Sequence, residues 1–295
     1  MIEGEVHHPH RQIGIAYSGS GSLLVVELGV ARAFVRRGIV PTRVAGVSSG
    51  AITAVAHALD PVQGRGLDVA AQTLGGIRNR TFGLAWWQVA LRLTFGPRSS
   101  LGDNQPIKTL VLSELARHFG LTDPTLAQIG PPSLRIGAAD RLNGQAVWFP
   151  PDQPLGDALL ASSAIPGLFP WRTLSVNGER RMLVDGGVLQ DQPVSELASC
   201  GCGTIFSVAV GSLNPKPPTN LVANAVGSFS LAVHQAAKLE EELVRRELAG
   251  RARVFHVHPH LNHPVKGFNF TPELVRQVMD RACQMTERWL AEQGF

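Results

Sequence analysis

With 295 residues, 44% of them hydrophobic and 17% charged, the chain is long enough to bury a substantial core and too apolar to be disordered over most of its length. Its net charge of +4 is scattered, without the basic stripe and interleaved aromatics that nucleic-acid binding needs, which argues against a nucleic-acid partner. No apolar run approaches the roughly 18 residues that span a bilayer, and Cys200, Cys202 and Cys283 are too few and badly spaced for a disulfide framework or a four-ligand zinc site.

These bounds predict a cytoplasmic protein in a reducing compartment, in contact with a membrane surface at most peripherally. Residues 1–12, MIEGEVHHPHRQ, carry acidic residues where a signal peptide needs positive charge, and read as a disordered lead. Without a break in composition thereafter, 13–295 reads as one α/β domain.

Ile13 to Tyr17 is a short apolar strand, followed at once by Ser18-Gly19-Ser20-Gly21-Ser22. Leu23 to Arg37 has helical spacing and ends on basic residues and Gly38, as helix C-termini do. Arg43 to Val47 is the next strand, and Ala51 to Ala58 begins another helix. Strand, helix, strand in this span is a βαβ unit, so the two strands should be parallel neighbours with a right-handed crossover. Their C-terminal ends, where open α/β sheets bind ligands, then carry the glycine-serine loop and the turn at Ser48.

That turn reads Gly46-Val47-Ser48-Ser49-Gly50, a G-x-S-x-G motif between strand and helix. A serine at the apex of a sharp turn has its hydroxyl pushed clear of the backbone. Gly46 and Gly50 leave room where side chains would crowd the turn. The alternative is a small-residue helix cap with no chemistry. The loop at Gly19 to Ser22 lacks the third glycine of a dinucleotide fingerprint, because Leu24 occupies that position, and no acidic residue ends the second strand. Beside a nucleophile, the backbone N–H groups of Gly19, Ser20, Gly21 and Ser22 suit an oxyanion hole. No cofactor is implied.

From Asp60 to Asp103 the pattern loosens, except for an apolar run from Phe82 to Phe95 that includes Trp86 and Trp87. It reads either as a buried helix or, over 81–103, as a lid or membrane-contact segment, since tryptophan favours the lipid-water interface. Ile107 to Phe119 is an amphipathic helix and Leu134 to Ala139 a strand. Asn143-Gly144 turns into Ala146 to Phe149 as a hairpin. Asp157 to Ile165 is a helix rich in small residues and stopped by Pro166-Gly167. A second hairpin, Thr173 to Val176 and Arg181 to Val184, ends in Asp185-Gly186-Gly187. Thr204 to Val210 is a buried strand, Leu221 to Leu248 a long helix, Val254 to Val257 an outer strand, and Thr271 to Glu292 a closing helix.

A carboxylate ending an apolar strand before two glycines can point into a cleft, although Asp-Gly-Gly is also an ordinary turn. Serine attack on an ester needs a base and oxyanion donors. One arrangement is a triad of Ser48, Asp185 and one of His256, His258, His260 or His263. Topology argues against it, because only two strands precede Ser48, too few for the α/β-hydrolase order. The other is a dyad in which Asp185 takes the proton directly, which requires a partly desolvated cleft. The same late histidines raise a metal site, but Pro259 interrupts their strand and no carboxylate lies near, so no metal is assigned.

Four blocks in order resemble the patatin-like phospholipases: the loop at Ser18 to Ser22, Gly46 to Gly50, Ala161-Ser162-Ser163-Ala164-Ile165-Pro166 with Phe169-Pro170, and Asp185-Gly186-Gly187-Val188 with Pro193. The resemblance covers about Ile13 to Pro193. It implies a three-layer α/β/α sandwich with a mostly parallel central sheet, Ser48 as nucleophile, Asp185 as its base and an oxyanion hole around Gly19, Ser20 and Gly21. The implied substrate is a lipid or other acyl ester, cleaved through an acyl-serine intermediate. A lipid-binding module without turnover and an acyltransferase using the same serine are the alternatives. Three departures stand out. Ser20 replaces the family's middle glycine, Leu23 and Leu24 stand where arginine and glycine are expected, and Asp191 stands where asparagine is common.

Overall fold

The structure is a computed structural model that describes residues 12–95, 100–210, 252–259, 261 and 267–295, with positions 231, 233, 235, 237–240, 242 and 246 of a helical stretch. Its strands are β1 (Ile13–Tyr17), β2 (Arg43–Val47), β3 (Ser133–Asp140), β4 (Gln145–Trp148), β5 (Arg172–Val176), β6 (Glu179–Asp185), β7 (Thr204–Val208) and β8 (Arg253–Val257). Its helices are α1 (Leu24–Arg36), α2 (Ser49–Leu59), α3 (Arg65–Gly75), α4 (Trp86–Phe95), α5 (Gln105–Phe119), α6 (Leu155–Ser162), α7 (Val194–Ser199) and α8 (Pro272–Glu292).

All eight strands form one sheet in the order β5-β6-β3-β2-β1-β7-β8, with β4 also on β3. The β3-β2-β1-β7-β8 core is parallel, as the βαβ reading required, and the two hairpin strands and β6 are antiparallel to their neighbours. The central strands are apolar on both faces, as strands covered on both sides must be. Ile15, Tyr17, Val44, Phe206 and Val208 point into the larger core, under α1, α2, α3 and α8. Ala16, Ala45 and Ile205 point the other way, against Val194 and Leu197 of α7. The result is the α/β/α sandwich expected from the sequence.

The pairing along β3 decides where the site forms. Gly137 pairs with Val47 of β2 and with Trp148 of β4. The next residue, Ala138, pairs with Val147 of β4 and Asp185 of β6. A strand has only two edges, so β2 and β6 lie end to end along the same edge of β3. One arrives carrying Ser48 and the other carrying Asp185.

Most expected elements are present, with shifted ends. The small-residue helix is Leu155–Ser162, and the closing helix is Pro272–Glu292 with Thr271 capping the Leu274 N–H at 3.2 Å. The loosely patterned region contains a helix not anticipated, α3. The Phe82 to Phe95 run is divided: Phe82 closes a 3-10 turn and is buried, while α4 begins at Trp86 and leaves Trp87 50% and Leu91 53% exposed. It is therefore not a wholly buried helix, since Trp87 and Leu91 of α4 are exposed. Parts of the Leu221 to Leu248 helix and the lead at 1–11 lie outside the described residues; the described positions from 231 to 246 are helical. Among the described residues no helix is long and apolar enough to cross a membrane.

Candidate active site

β2 stops at Val47 and α2 starts at Ser49, so the whole change of direction falls on Ser48, with φ 53° and ψ −126°. This is a region that residues with a Cβ rarely enter, and holding one there costs on the order of 1–3 kcal/mol. The flanking glycines make the turn physically attainable. A Cβ on Gly46 would stand 2.3 Å from the Gly50 carbonyl oxygen, and one on Gly50 would stand 2.4 Å from the carbonyl oxygens of both Tyr17 and Ser18. The Ser48 N–H donates to Ser162 Oγ at 2.9 Å, which ties the turn to the end of α6. Asn104 secures that end in turn, donating to the Leu160 carbonyl at 2.8 Å and to Ser163 Oγ at 3.0 Å.

Asp185 ends β6 with its backbone N–H donating to the Ala164 carbonyl at 3.0 Å. Its Oδ1 accepts the Gly187 N–H at 2.9 Å. Its Oδ2 is buried and has no hydrogen-bond partner among the described residues. Burial raises its pKa to about 7, against the opposing pull of the Ser48 hydroxyl and the Gly187 N–H. The Ser48 hydroxyl is thus near enough to favour the charged carboxylate without a hydrogen bond of ordinary geometry to Oδ2.

The glycine-serine loop lies beside this pair, but its donors are not all free. Gly19 N–H donates to Asp191 Oδ1 at 3.0 Å, and Ser20 N–H to Ser49 Oγ at 2.8 Å. Gly21, at φ +57°, opens a 3-10 turn with Ser22 and Leu23. The first N–H groups of such a turn have no acceptor within it, which leaves those of Gly21 and Ser22 to face a ligand.

Beneath the loop is a buried polar cluster that the sequence reading passed over. Glu27 of α1 is fully buried and accepts from Thr53 Oγ1 at 3.0 Å, while its Oε1 has no hydrogen-bond partner among the described residues. Burial pushes its carboxyl well above the usual carboxylate range, opposed by the hydroxyls of Thr53, Ser20 and Ser18 and reinforced by Asp191. Tyr17 Oη and His57 Nδ1 are hydrogen-bonded at 2.8 Å nearby, and burial lowers the His57 pKa to about 4, so this imidazole is neutral. A single acid inside the apolar run LLVVELGV was the available signal.

The late histidines are elsewhere. His256 lies on β8, paired in register with Ser207, and its ring stacks on His258. β8 is three strand spacings from β2, about 14 Å. His260 and His263 lie outside the described residues.

Ser48 and Gly21 open onto an apolar cavity between α2, α3 and α5. Ile52, Val55, Ala56 and Leu59 give it one wall along a single face of α2, and Val69, Ala70, Leu74, Leu110, Val111, Leu115 and Phe119 the others. From Ser48 to Leu59 the wall is about 16 Å long at the helical rise.

A strained serine at the C-terminal edge of a mostly parallel sheet thus stands beside a buried carboxyl and an apolar cavity, on an α/β/α sandwich. The patatin-like phospholipase family matches residues 15–198, and the chain belongs to it. It is 28% identical to an uncharacterised NTE family protein of Mycobacterium tuberculosis over 74% of this chain and 54% of that one. It is 27% identical to lysophospholipase NTE1 of Saccharomyces cerevisiae over 70% of this chain and 11% of that one. The chain therefore spans about half the length of the first of these relatives and much less of the second. Among solved structures, human GIVD cytosolic phospholipase A2 shares the fold at a TM-score of 0.50 and 12% identity, over 95% of this chain and 58% of that one.

Because the turn conformation suits glycine, Ser48→Gly should raise stability by about 1–3 kcal/mol. Urea denaturation, with Ser48→Ala as the control that keeps a Cβ, measures it; equal stability of the two variants would show that the turn stores no strain.

Proposed function

We propose that the chain hydrolyses fatty-acyl esters with a Ser48–Asp185 dyad. The observation that carries this reading is the end-to-end meeting of β2 and β6, with a buried serine that opens onto the cavity beside a buried carboxyl whose Oδ2 has no partner among the described residues.

Ser48 Oγ attacks the ester carbonyl carbon while Asp185 takes the hydroxyl proton. The carbonyl oxygen becomes an oxyanion facing the N–H groups of Gly21 and Ser22. Collapse breaks the bond to the alcohol, which leaves with the proton from Asp185, and the acyl group remains on Ser48. Water, deprotonated by Asp185, then attacks the acyl-serine; the fatty acid leaves as Ser48 Oγ takes that proton back from Asp185. A carboxylate of ordinary pKa is a poor base for a serine. At about 7, Asp185 is far better matched to its task.

The cavity suits the acyl chain. Its length favours medium or longer chains, and each methylene it buries contributes about 0.8 kcal/mol. Trp87 and Leu91, exposed one helical turn apart on α4, suit contact with the lipid surface that supplies such substrates.

Hydrolysis of a p-nitrophenyl acyl ester should fall to background in Ser48→Ala and Asp185→Ala, and intact mass should show a fluorophosphonate adduct that Ser48→Ala lacks. Since the base must be ionised, the rate should climb with pH through about 7; a rate already level at about pH 5 would mean another base. Ala70→Phe should lower kcat/KM for long-chain esters at least tenfold relative to butyrate, measured across a chain-length series; a uniform loss would place the chain elsewhere. Trp87→Ala combined with Leu91→Ala should weaken sedimentation with phosphatidylcholine vesicles severalfold, and unchanged sedimentation would remove the membrane contact.

A further inference from the structure

Asp191 is a carboxyl that the acyl-transfer steps do not use. It is half-buried in the turn before α7, and its Oδ1 accepts the Gly19 N–H at 3.0 Å. Two glycines fix how near it stands to the reacting groups. A Cβ on Gly19 would lie 2.8 Å from Asp191 Oδ1, 3.2 Å from Ser48 Cβ and 3.9 Å from Ser48 Oγ. One on Gly187 would lie 3.0 Å from Asp191 Oδ1 and 3.1 Å from Asp185 Oδ1. One carboxyl oxygen thus borders the nucleophile, the base and the glycine-serine loop together.

We propose that Asp191 is a titratable gate on the oxyanion loop: uncharged, it yields the Gly19 N–H to the substrate oxygen, and ionised, it keeps that donor and opposes the oxyanion. The proposal rests on the Ser48–Asp185 reading. Its physical basis is a competition for one hydrogen. A hydrogen bond to a carboxylate is roughly twice as strong as one to a neutral acceptor, so ionisation tightens the hold on Gly19. The same charge would stand beside the negative oxygen that acyl transfer must create.

The surroundings set when this happens. Asp185 faces Asp191 from the end of β6, Glu240 from the 231–246 helical stretch, and Glu27 from α1. Gln190 and Ser195 donate to Glu240 Oε1 at 2.9 and 3.2 Å and hold that acid in place. No cation is ion-paired with Asp191 among the described residues. Burial first, then Asp185 and Glu240, push its carboxyl up to about 8 against the Gly19 N–H. With one proton shared between the two acids, the active form is the one in which the base is charged and the gate is neutral. At higher pH both are charged. The two acids titrate as a pair, and activity follows the singly ionised form.

The test is the pH dependence of ester hydrolysis from about pH 6 to about pH 10 in the whole chain. The wild type should rise, pass an optimum and fall about tenfold by about pH 9. Asp191→Asn should keep the acid limb and lose the alkaline fall. Glu240→Gln, which removes one of the charges holding the Asp191 proton, should move the alkaline fall to lower pH. It also carries the test if Asp191→Asn does not fold. A wild type with no alkaline fall, an Asp191→Asn profile that retains it, or a Glu240→Gln fall that stays put or moves upward would overturn the gate. Failure of the underlying dyad is separate: hydrolysis would then survive Ser48→Ala, and no fluorophosphonate adduct would form on that serine.

Discussion

Two strands sharing one edge of β3 are the constraint on which the rest of this molecule depends. β2 fills that edge as far as Gly137, and β6 takes it over at Ala138 from the opposite direction. Backbone hydrogen bonding leaves each strand little freedom to slide, because a slip of one residue would turn its apolar faces inside out. The separation between Ser48 and Asp185 is therefore set by sheet register, and side-chain rotamers only refine it. A site held this way keeps its geometry as long as the sheet survives.

The price is a concentration of polar groups where water is scarce. Ser48 is held in a strained conformation, Glu27 is buried beneath the loop, and Asp185, Asp191 and Glu240 all have pKa values raised chiefly by burial. Isolated buried charges are expensive, and a carboxyl can avoid that cost by keeping its proton. In the proposed dyad this expense has a use. The Asp185 rise from 3.8 to about 7 corresponds to about 4 kcal/mol of added proton affinity. For the proposed proton transfer that narrows the mismatch with a serine hydroxyl, so the dyad requires no histidine between them.

Much of this was legible before any coordinates. The glycines around Ser48, the loop after β1 and the strand ending at Asp185 each have a local signature, and parallel βαβ connectivity brings the first two to one sheet edge. What could not be read were the contacts that the fold brings together around the turn and loop: that Gly19 donates to Asp191, that Ser20 is spent on Ser49, and that Ser162 supports the Ser48 N–H. These contacts join residues far apart in the chain. α3 was missed because glycines stand near its start and at its end, at Gly66 and Gly75, although its pattern is amphipathic and it packs on α2 and α8. Phe82 and Trp87 lie close in one apolar run, yet a turn between them sends one inward and the other outward.

The departures in the glycine-serine loop become intelligible in the same terms. Ser20 does not crowd the loop, because its hydroxyl and N–H both meet Ser49 Oγ, at 3.0 and 2.8 Å, and so replace conformational freedom with a fixed attachment to the start of α2. Leu24 is buried and lines the cavity together with Gly21 and Ser48. Leu23, where arginine is expected, is partly buried against the core and is not part of the cavity wall. Leu24, where glycine is expected, extends the apolar lining up to Ser48, while the N–H groups of Gly21 and Ser22 are backbone groups that no side-chain substitution removes.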